Sequence, residues 1–414
     1  MKLMRMMLTV FVLMLLVVPV LSGFNFSTGQ STKKAKARTW VNMNLETNPG
    51  IKICQGMTYD SESDKIIMFG GFDGKVMCDE TWTYDYNTNT WENRTPPASP
   101  PGRCGVTLIY DAKRDICLMF GGINTAQKTY SDTWKYDYNT NTWTNLNPKN
   151  SPSARAKGYL AYDSESDQLV YFGGYGDNKV LLAETWTYSY SENTWTNRTS
   201  GTQPSARQRC HMYYDSKSDR IIMFGGWLGG DEVLDDTWAY DCNTYTWTKM
   251  QPAASPHARA RNGFVYIPEW DFLFCTHGFG GTDGDLNDTW TYDYDTNTWT
   301  ELTPETTATP AGRHCFNIAY DSKSHVILCY GGSNAVQSFT DTWTFGIPPP
   351  EKEDQGENNA LPQPVIIAIL LVTIVLVLII IFVGMKKKAR ASKEQAERTE
   401  EKKTKPEGPK YMRP

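Results

Sequence analysis

The sequence has few histidines and lacks the short motifs of common catalytic and metal sites. Its 414 residues include five histidines, and no two of them form an HxxxH or HExxH pair. The nine cysteines contain no CxxC spacing, so no zinc ligand set is indicated. There is also no GxSxG nucleophile motif and no glycine-rich phosphate loop between a strand and a helix. We therefore predict no catalytic residues, no metal and no cofactor.

The charge of the chain is small in total and unevenly distributed. The formal net charge is −5, whereas residues 385–414 carry 11 Lys/Arg and 5 Asp/Glu, a net charge of +6. Residues 1–384 therefore carry −11, which is −5 minus +6. An acidic body with a basic tail does not predict binding of nucleic acid by the body.

Both ends of the chain contain apolar segments typical of membrane targeting. Lys2 and Arg5 precede an apolar run, Met6–Leu21, and small residues follow it, which predicts a signal peptide over residues 1–23. An uncleaved N-terminal anchor is the alternative, although the run is short for a membrane span. The second run, Val365–Gly384, has 20 residues with Thr373 as its only polar side chain.

A helix of that length matches a hydrocarbon core of about 30 Å. Cations follow it directly, and positive charge tends to remain on the cytoplasmic side of a membrane. These cations are Lys386, Lys387, Lys388 and Arg390. The pattern predicts a single-pass type I protein of the cell membrane, with the body outside and a cytoplasmic tail at 385–414.

The number of cysteines is odd, so at least one of them is unpaired within a single chain. An exported body would place them in an oxidising environment. Most lie in strand-like runs, where a buried, apolar role is the usual one. The sequence alone assigns no disulfide. The cysteines are Cys54, Cys78, Cys104, Cys117, Cys210, Cys242, Cys275, Cys315 and Cys329.

An internal repeat of about 52 residues dominates the chain. A Trp preceded by Asp-Thr or Glu-Thr recurs at Trp82, Trp134, Trp186, Trp238, Trp290 and Trp343. A Gly-Gly pair that follows an apolar run precedes each triplet, at 70–71, 121–122, 173–174, 225–226, 280–281 and 331–332. Turn-forming residues divide each repeat into four short segments rich in Val, Ile, Tyr, Trp and Thr, which predict strands. Four strands repeated six times predict an all-β, six-bladed β-propeller.

The di-glycine, the regularly spaced Tyr and the two Trp of DETWTYDYNTNTW (Asp79–Trp91) resemble the kelch-repeat family over residues 38–345. The resemblance implies a propeller with one sheet per repeat. It implies little about activity, because kelch propellers serve both as binding modules and as enzymes.

Twelve of the 14 Trp occupy two repeat positions and are predicted to pack between blades, where each can bury about 150–250 Å². Besides the six of the triplets, these are Trp40, Trp91, Trp143, Trp195, Trp247 and Trp299. The sixth repeat breaks off at Gly346 before its fourth strand. The segment Arg38–Asn44 (RTWVNMN) aligns with the fourth strand of another repeat, Asn141–Asn147 (NTWTNLN). It is predicted to complete the sixth blade and close the ring.

A cation stands seven residues before the first-strand Tyr of the repeats, on the face that carries the most variable loops. These cations are Lys52, Arg103, Arg155, Arg207, Arg259 and Arg313. An acid begins each third strand at the same end: Glu80, Asp132, Glu184, Asp236, Asp288 and Asp341. Two interpretations remain open. The cations and acids form a repeated structural ion pair, or the cations capture a carboxylate, a phosphate or an acidic peptide.

Two further groups of side chains are weaker candidates. Acidic loop residues could offer oxygen ligands to Ca²⁺, although such loops are usually plain turns. They are Asp231, Glu232, Asp235, Asp283 and Asp285. Four N-x-[ST] sequons are candidates for glycosylation in a host with that machinery. Their asparagines are Asn25, Asn93, Asn197 and Asn287.

The predicted organisation is a signal peptide (1–23), an N-terminal extension (24–37), a propeller (38–345), a stalk (346–364), a transmembrane helix (365–384) and a tail (385–414). The favoured function is a membrane-anchored, non-catalytic module whose variable face binds a protein or a glycan. The alternative is an exported enzyme that acts on carbohydrates, as a sugar epimerase or oxidase. A structural surface spacer is the third interpretation.

Overall fold

The fold is described from a computed structural model. The structure describes residues 39–177, 179–302, 308–347, 377–378 and 380–397. The predicted signal peptide, the N-terminal extension and Asn25 lie outside these residues, as do most of the stalk, of the predicted transmembrane helix and of the tail. The chain divides into two compact units, residues 1–350 and 351–414.

The first unit is all-β and contains six sheets of four antiparallel strands. The first two sheets contain β2 (Gly56–Asp60), β3 (Lys65–Phe69), β4 (Thr81–Asp85) and β5 (Thr90–Asn93), then β6 (Thr107–Asp111), β7 (Ile116–Phe120), β8 (Thr133–Asp137) and β9 (Thr142–Asn145). The third and fourth contain β11 (Tyr159–Asp163), β12 (Gln168–Phe172), β14 (Thr185–Ser189) and β15 (Thr194–Asn197), then β16 (His211–Asp215), β17 (Arg220–Gly229), β18 (Glu232–Asp241) and β19 (Thr246–Lys249).

The fifth sheet contains β20 (Gly263–Ile267), β21 (Phe272–Phe279), β22 (Asp285–Asp293) and β23 (Thr298–Glu301), with a 3₁₀ turn at Gly281–Asp283 between β21 and β22. The sixth combines β24 (Asn317–Asp321), β25 (Val326–Tyr330) and β26 (Thr342–Gly346) with β1 (Trp40–Asn42). A small two-stranded sheet pairs β10 (Arg155–Ala156) with β13 (Tyr175–Gly176).

The sheets are arranged as the blades of a propeller. The first strands of the blades contact one another in cyclic order, and β24 of the sixth blade contacts β2 of the first. Strand β1 is the outermost strand of the sixth blade, the position assigned to Arg38–Asn44 from the sequence. It pairs with β26 in antiparallel register, with Trp40 opposite Phe345. The all-β, six-bladed propeller predicted from the repeat is therefore confirmed.

The core lies between neighbouring blades. Second strands such as β7 (ICLMF) are buried along their whole length because each blade is covered on both faces. Apolar side chains therefore occur without alternation in these strands. The fourth-strand Trp fill the space between blades: Trp143 packs with Ile67 and Phe69 of the preceding blade. Its indole N–H donates to Thr81 Oγ1 at 2.9 Å.

The same indole-to-threonine hydrogen bond links four other pairs of blades. In the sixth blade, Trp40 instead packs edge-to-face on His277, with ring centroids 5.8 Å apart. The third-strand Trp are half-buried, except that Trp238 is buried.

One repeat position differs from its sequence assignment. In the fifth blade the residues equivalent to the Gly-Gly pair are His277 and Gly278, and not Gly280–Gly281. Gly278 donates its N–H to the Arg313 carbonyl at 2.9 Å, as Gly226 does to the Arg259 carbonyl at 3.0 Å. The fourth blade has the same bulge, between Phe224 and Gly226, so the fifth blade differs in having His277 in place of the first glycine. The spacing was a usable signal, because His277 precedes Trp290 by 13 residues, as Gly225 precedes Trp238.

In the second unit, residues 377–378 and 380–397 are helical. Among the residues that the structure describes, no helix is both long enough and apolar enough to cross a membrane. The predicted transmembrane segment and the domain boundaries remain predictions.

Candidate functional site

The six predicted cations lie inside the protein, next to the six predicted acids. The five arginines are at most 1% exposed and Lys52 is 4% exposed, so none of them faces solvent. Arg103 makes a bidentate pair with Asp132 at 2.6 and 2.9 Å, and Arg259 and Arg313 pair in the same way. The remaining pairs are Lys52–Glu80, Arg155–Glu184 and Arg207–Asp236. This geometry favours the structural interpretation of the cations.

Each acid also accepts a hydrogen bond from the indole of its own triplet. Asp132 accepts from Trp134 Nε1 at 2.7 Å, and the same contact occurs in the other five blades. Arg103 Nη1 further donates to the Gly121 carbonyl at 2.8 Å. Arginine, acid and tryptophan thus form one unit that joins the segment before the first strand to the second and third strands.

The backbone of each cation also joins neighbouring blades. Gly71 of the first blade donates its N–H to the Arg103 carbonyl of the second at 2.9 Å. A Cβ added at Gly70 would lie 2.5 Å from that carbonyl oxygen. A side chain at Gly70 would therefore require this backbone to shift.

Two residues after each cation, the chain reaches the propeller axis. The six residues at this position form what we term the axial ring: Cys54, Gly105, Lys157, Arg209, Arg261 and Cys315. All six adopt positive φ, between 56° and 64°. Each donates its N–H to the carbonyl of the equivalent residue in the preceding blade, with distances from 2.6 Å (Arg209 to Lys157) to 3.1 Å. Cys54 donates to Cys315 at 2.7 Å and so closes the circle.

All residues of the axial ring except Gly105 line a recess of about 270 Å³ on the variable-loop face. We term this recess the axial mouth. His314 and residues of the loops between second and third strands, such as Phe72 and Ile123, complete its wall. On the other side of the ring, a smaller cavity of about 50 Å³ is lined by residues that begin the first strands, such as Tyr159 and His211.

Three cations of the axial ring, Lys157, Arg209 and Arg261, are half-buried and lie close to one another. Burial, followed by the like charge of Arg209, lowers the pKa of Lys157. The same two causes lower the pKa of Arg261. The Nε atoms of Arg209 and Arg261 are buried without a hydrogen-bond partner among the described residues. The arrangement of like charges therefore favours a bound anion, which would reduce the repulsion between them.

The hairpin of β17 and β18 contributes an aromatic side chain beside these cations. The Arg261 guanidinium lies 4.4 Å from the centroid of the Trp227 ring. Trp227 Nε1 donates to the Gly230 carbonyl at 2.8 Å, near the tip of the hairpin. An aromatic ring thus lies against one of the cations that line the axial mouth.

Two cysteines of the axial ring contact the same guanidinium group. Arg209 Nη1 lies 3.0 Å from Cys54 Sγ and 2.9 Å from Cys315 Sγ. A hydrogen bond from the Cys315 thiol and the charges of Arg209 and Arg261 lower the pKa of Cys54, although burial opposes them. All nine cysteines lie in the described residues, and none forms a disulfide there.

The two buried histidines, His211 and His277, each lie within hydrogen-bond distance of a polar side chain. His211 Nδ1 lies 3.1 Å from Asn262 Oδ1, and burial lowers the pKa of His211 to about 4. His277 Nδ1 lies 2.7 Å from Thr276 Oγ1, and burial lowers the pKa of His277 to about 4 as well. Both side chains are therefore neutral at neutral pH.

The candidate Ca²⁺ ligands do not form one site. Among the residues that the structure describes, no three His, Cys, Asp or Glu side chains are placed to hold a metal ion. Asp285 contacts His314 Nδ1 and accepts from the Ala335 backbone N–H at 3.1 Å. Asp283 faces His257 at 3.6 Å.

Three of the four sequon asparagines lie within the described residues, and all three are exposed: Asn93, Asn197 and Asn287. Asn93 and Asn197 end the outermost strands β5 and β15. Their side-chain oxygens accept from the backbone N–H groups of Thr95 and Thr199 at 3.0 and 2.8 Å. Glycosylation remains a prediction.

The axial ring is not among the candidate residues of the sequence analysis. The candidates there are the cations that lie two residues earlier in each blade. A signal was present. The ring position varies between Cys, Gly, Lys and Arg from blade to blade, whereas the cation position is nearly uniform. Uniform positions maintain the scaffold, and a variable position next to one is a better candidate for ligand contact.

Comparison with known proteins places this architecture among repeat propellers. The family model of the KLHDC2/KLHL20/DRC7 Kelch-repeats domain matches residues 24–165, 56–275 and 163–353. The chain is 25% identical over 301 residues to the dynein alpha chain of the flagellar outer arm of Chlamydomonas reinhardtii, covering 67% of this chain and 6% of the dynein chain.

A second relative is an F-box/kelch-repeat protein of Arabidopsis thaliana, 30% identical over 227 residues. That match covers 51% of this chain and 45% of the relative. The chain thus spans less than half the length of these curated relatives.

Proposed function

Because the chain belongs to the family of the KLHDC2/KLHL20/DRC7 Kelch-repeats domain, whose propellers are typically protein-interaction modules, we propose that it binds an acidic segment of a partner protein at the axial mouth. The observation that carries this proposal is the group of Lys157, Arg209 and Arg261 at the base of a recess of about 270 Å³. The ion-pair arginines, in contrast, are buried inside the blades and paired with the acids.

An acidic peptide fits this site for two physical reasons. Its carboxylates would pair with the guanidinium groups of Arg209 and Arg261 that line the recess and offset the repulsion that lowers the pKa of Lys157. Charge-assisted hydrogen bonds contribute about 1.5–3 kcal/mol each. An extended peptide would also contact Trp227 beside Arg261.

The test measures binding of fluorescent peptides to the full chain in detergent micelles. An acidic series is compared with matched peptides in which every Glu and Asp is replaced by Gln or Asn. We expect selective binding of the acidic series, weakening with added salt. Arg261→Ala should lower the affinity by about tenfold or more.

Lys217→Ala is the matched control, because Lys217 is an exposed cation whose partners, Asp271 and Asp295, lie outside the axial mouth. It should leave the affinity unchanged. Equal binding of acidic and neutral peptides would refute the proposal. So would binding only of a glycan that carries carboxylates, since that outcome assigns the mouth to a carbohydrate ligand.

We further propose that the apolar run Val365–Gly384 anchors the protein in the cell membrane, with the propeller outside. The support is the length of the run, its single polar side chain and the cations that follow it. The full chain should stay in the membrane pellet after an alkaline carbonate wash, whereas a chain ending at Phe345 should be released. Release of both chains would overturn the anchor.

A further inference from the structure

We propose that Cys54 and Cys315 form a reactive dithiol that undergoes exchange with low-molecular-weight disulfides and closes into a disulfide between the first and last blades. The two residues occupy equivalent positions in the axial ring, and the Cys54 N–H donates to the Cys315 carbonyl at 2.7 Å. Such a contact brings two backbones within reach of a disulfide, whose Cα atoms lie about 4.4–6.8 Å apart.

The two sulfurs are also neighbours. Both sulfurs lie within 3.0 Å of Arg209 Nη1, so the same nitrogen atom contacts the two of them. A guanidinium beside a thiol favours the thiolate, which is the nucleophile in exchange. The lowered pKa of Cys54 and the raised pKa of Cys315, whose main cause is burial, agree with this geometry.

The solvent exposure of the two cysteines indicates which thiol reacts first. Both residues line the axial mouth, but Cys54 is half-buried whereas Cys315 is only 6% exposed. Cys54 is therefore the attacking residue and Cys315 the resolving residue. Cysteines inside the blades, such as Cys117 and Cys275, are at most 1% exposed, and burial raises their pKa.

The reaction balances with a disulfide such as oxidised glutathione as the oxidant. The Cys54 thiolate attacks one sulfur of glutathione disulfide, the S–S bond breaks, and one glutathione thiolate leaves. Cys315 then loses its proton and attacks Cys54 Sγ of the mixed disulfide, which expels the second glutathione thiolate. Two electrons pass from the protein dithiol to the glutathione disulfide, and the two released thiolates take up two protons.

The test uses the full chain in detergent micelles, reduced and then exposed to glutathione redox buffers. Free thiols are alkylated at intervals, and the products are mapped by mass spectrometry. We expect a linkage between Cys54 and Cys315 to form first. Cys315→Ser should stop at a mixed disulfide with glutathione on Cys54, and Cys54→Ser should react far more slowly.

Cys104→Ser is the matched control. Cys104 also lines the axial mouth, but the sulfurs that contact Arg209 Nη1 in the described residues are those of Cys54 and Cys315. It should react like the wild type. Unchanged thermal unfolding of each variant shows that the fold is intact. A linkage from Cys54 to Cys104, or reaction of Cys54 no faster than that of Cys104, would overturn the proposal.

Discussion

At the scale of single residues, the turns of the blades depend on side chains that tolerate positive φ. The turn between third and fourth strands has Asn89, Asn141, Asn193 and Asn297 at φ 48–53° in four blades. Each asparagine accepts a hydrogen bond from the third-strand Tyr, as Asn89 does from Tyr84 at 2.7 Å. Asparagine is suited to both tasks because its short polar side chain is tolerated in the left-handed region.

The fourth blade departs from this pattern. Its turn has Tyr245 at φ 57°. The hydroxyl of the corresponding third-strand residue, Tyr240, is buried without a hydrogen-bond partner among the described residues. The Tyr245 ring packs against the apolar cluster that contains Trp247, and the Arg198 guanidinium lies 3.8 Å from its centroid.

We predict that Tyr245→Asn stabilises the propeller. Relief of the left-handed conformation contributes about 1 kcal/mol, and a hydrogen bond to Tyr240 adds about 1 kcal/mol. Loss of the contact with Arg198 costs about 0.5–1 kcal/mol. The net gain of about 1 kcal/mol should appear as a higher midpoint in chemical denaturation.

Tyr245→Gly separates the two contributions, since glycine accepts the positive φ but offers no acceptor to Tyr240. The asparagine variant should be the more stable of the two. An asparagine variant that is less stable than the wild type would contradict the prediction.

At the scale of the elements, the sequence was sufficient to predict the strands and insufficient to predict the contacts between them. The repeat located all six copies of the third and fourth strands, because a Trp at a fixed spacing must occupy the same site in every blade. It misplaced the di-glycine of the fifth blade, because His277 replaces the first glycine and another Gly-Gly pair, Gly280–Gly281, follows three residues later. His277 occupies the glycine position with φ 54° and is fully buried against Trp40.

The sequence left open whether the cations bind a ligand or pair with the acids. Whether they pair depends on side-chain geometry, which the spacing of residues in the sequence does not determine. The arginine must donate both to the acid and to a backbone carbonyl, and the acid must also accept a hydrogen bond from the indole. Arg207 donates to Asp236 and to the Gly225 carbonyl at 3.0 Å, while Trp238 donates to Asp236 at 2.8 Å. Burial raises the pKa of Asp236, but the hydrogen bond and charge of Arg207 outweigh it and leave the pKa lowered.

We predict that Arg207→Met destabilises the protein by about 3–5 kcal/mol, because it leaves the half-buried Asp236 carboxylate and a buried carbonyl without their donor. The measurement is the free energy of unfolding from chemical denaturation. Lys113→Ala removes an exposed ion pair with Asp167 and should leave the unfolding midpoint nearly unchanged. Equal effects of the two substitutions would show that the buried pair has no structural role.

At the scale of the whole molecule, closure of the ring depends on both ends of the propeller. The sequence predicted this closure because the sixth repeat lacks a strand that stands, out of order, before the first. It could not predict the hydrogen bonds that join the axial ring, because that circle of bonds forms only when all six blades meet. Cys54 and Cys315 are 261 positions apart in the sequence and adjacent in this circle.

The closing strand β1 is short, and one side chain provides most of its burial. Trp40 is 2% exposed and packs on Phe345 and His277, with ring centroids 5.1 and 5.8 Å apart. The next residue, Val41, is 50% exposed. Backbone hydrogen bonds continue the pairing beyond the strand, from Met43 N–H to the Thr342 carbonyl at 2.9 Å.

We predict that Trp40→Ala destabilises the whole propeller by about 3–5 kcal/mol, as expected for the loss of a buried aromatic side chain. Deletion of Arg38–Leu45 should be more severe, because it exposes an edge of the sixth blade. Val41→Ala is the matched control on the same strand and should change the stability by less than about 0.5 kcal/mol. Unfolding should remain a single transition, since each blade is covered only by its neighbours. If Trp40→Ala and Val41→Ala melted at the same temperature, the ring would not depend on β1 for its closure.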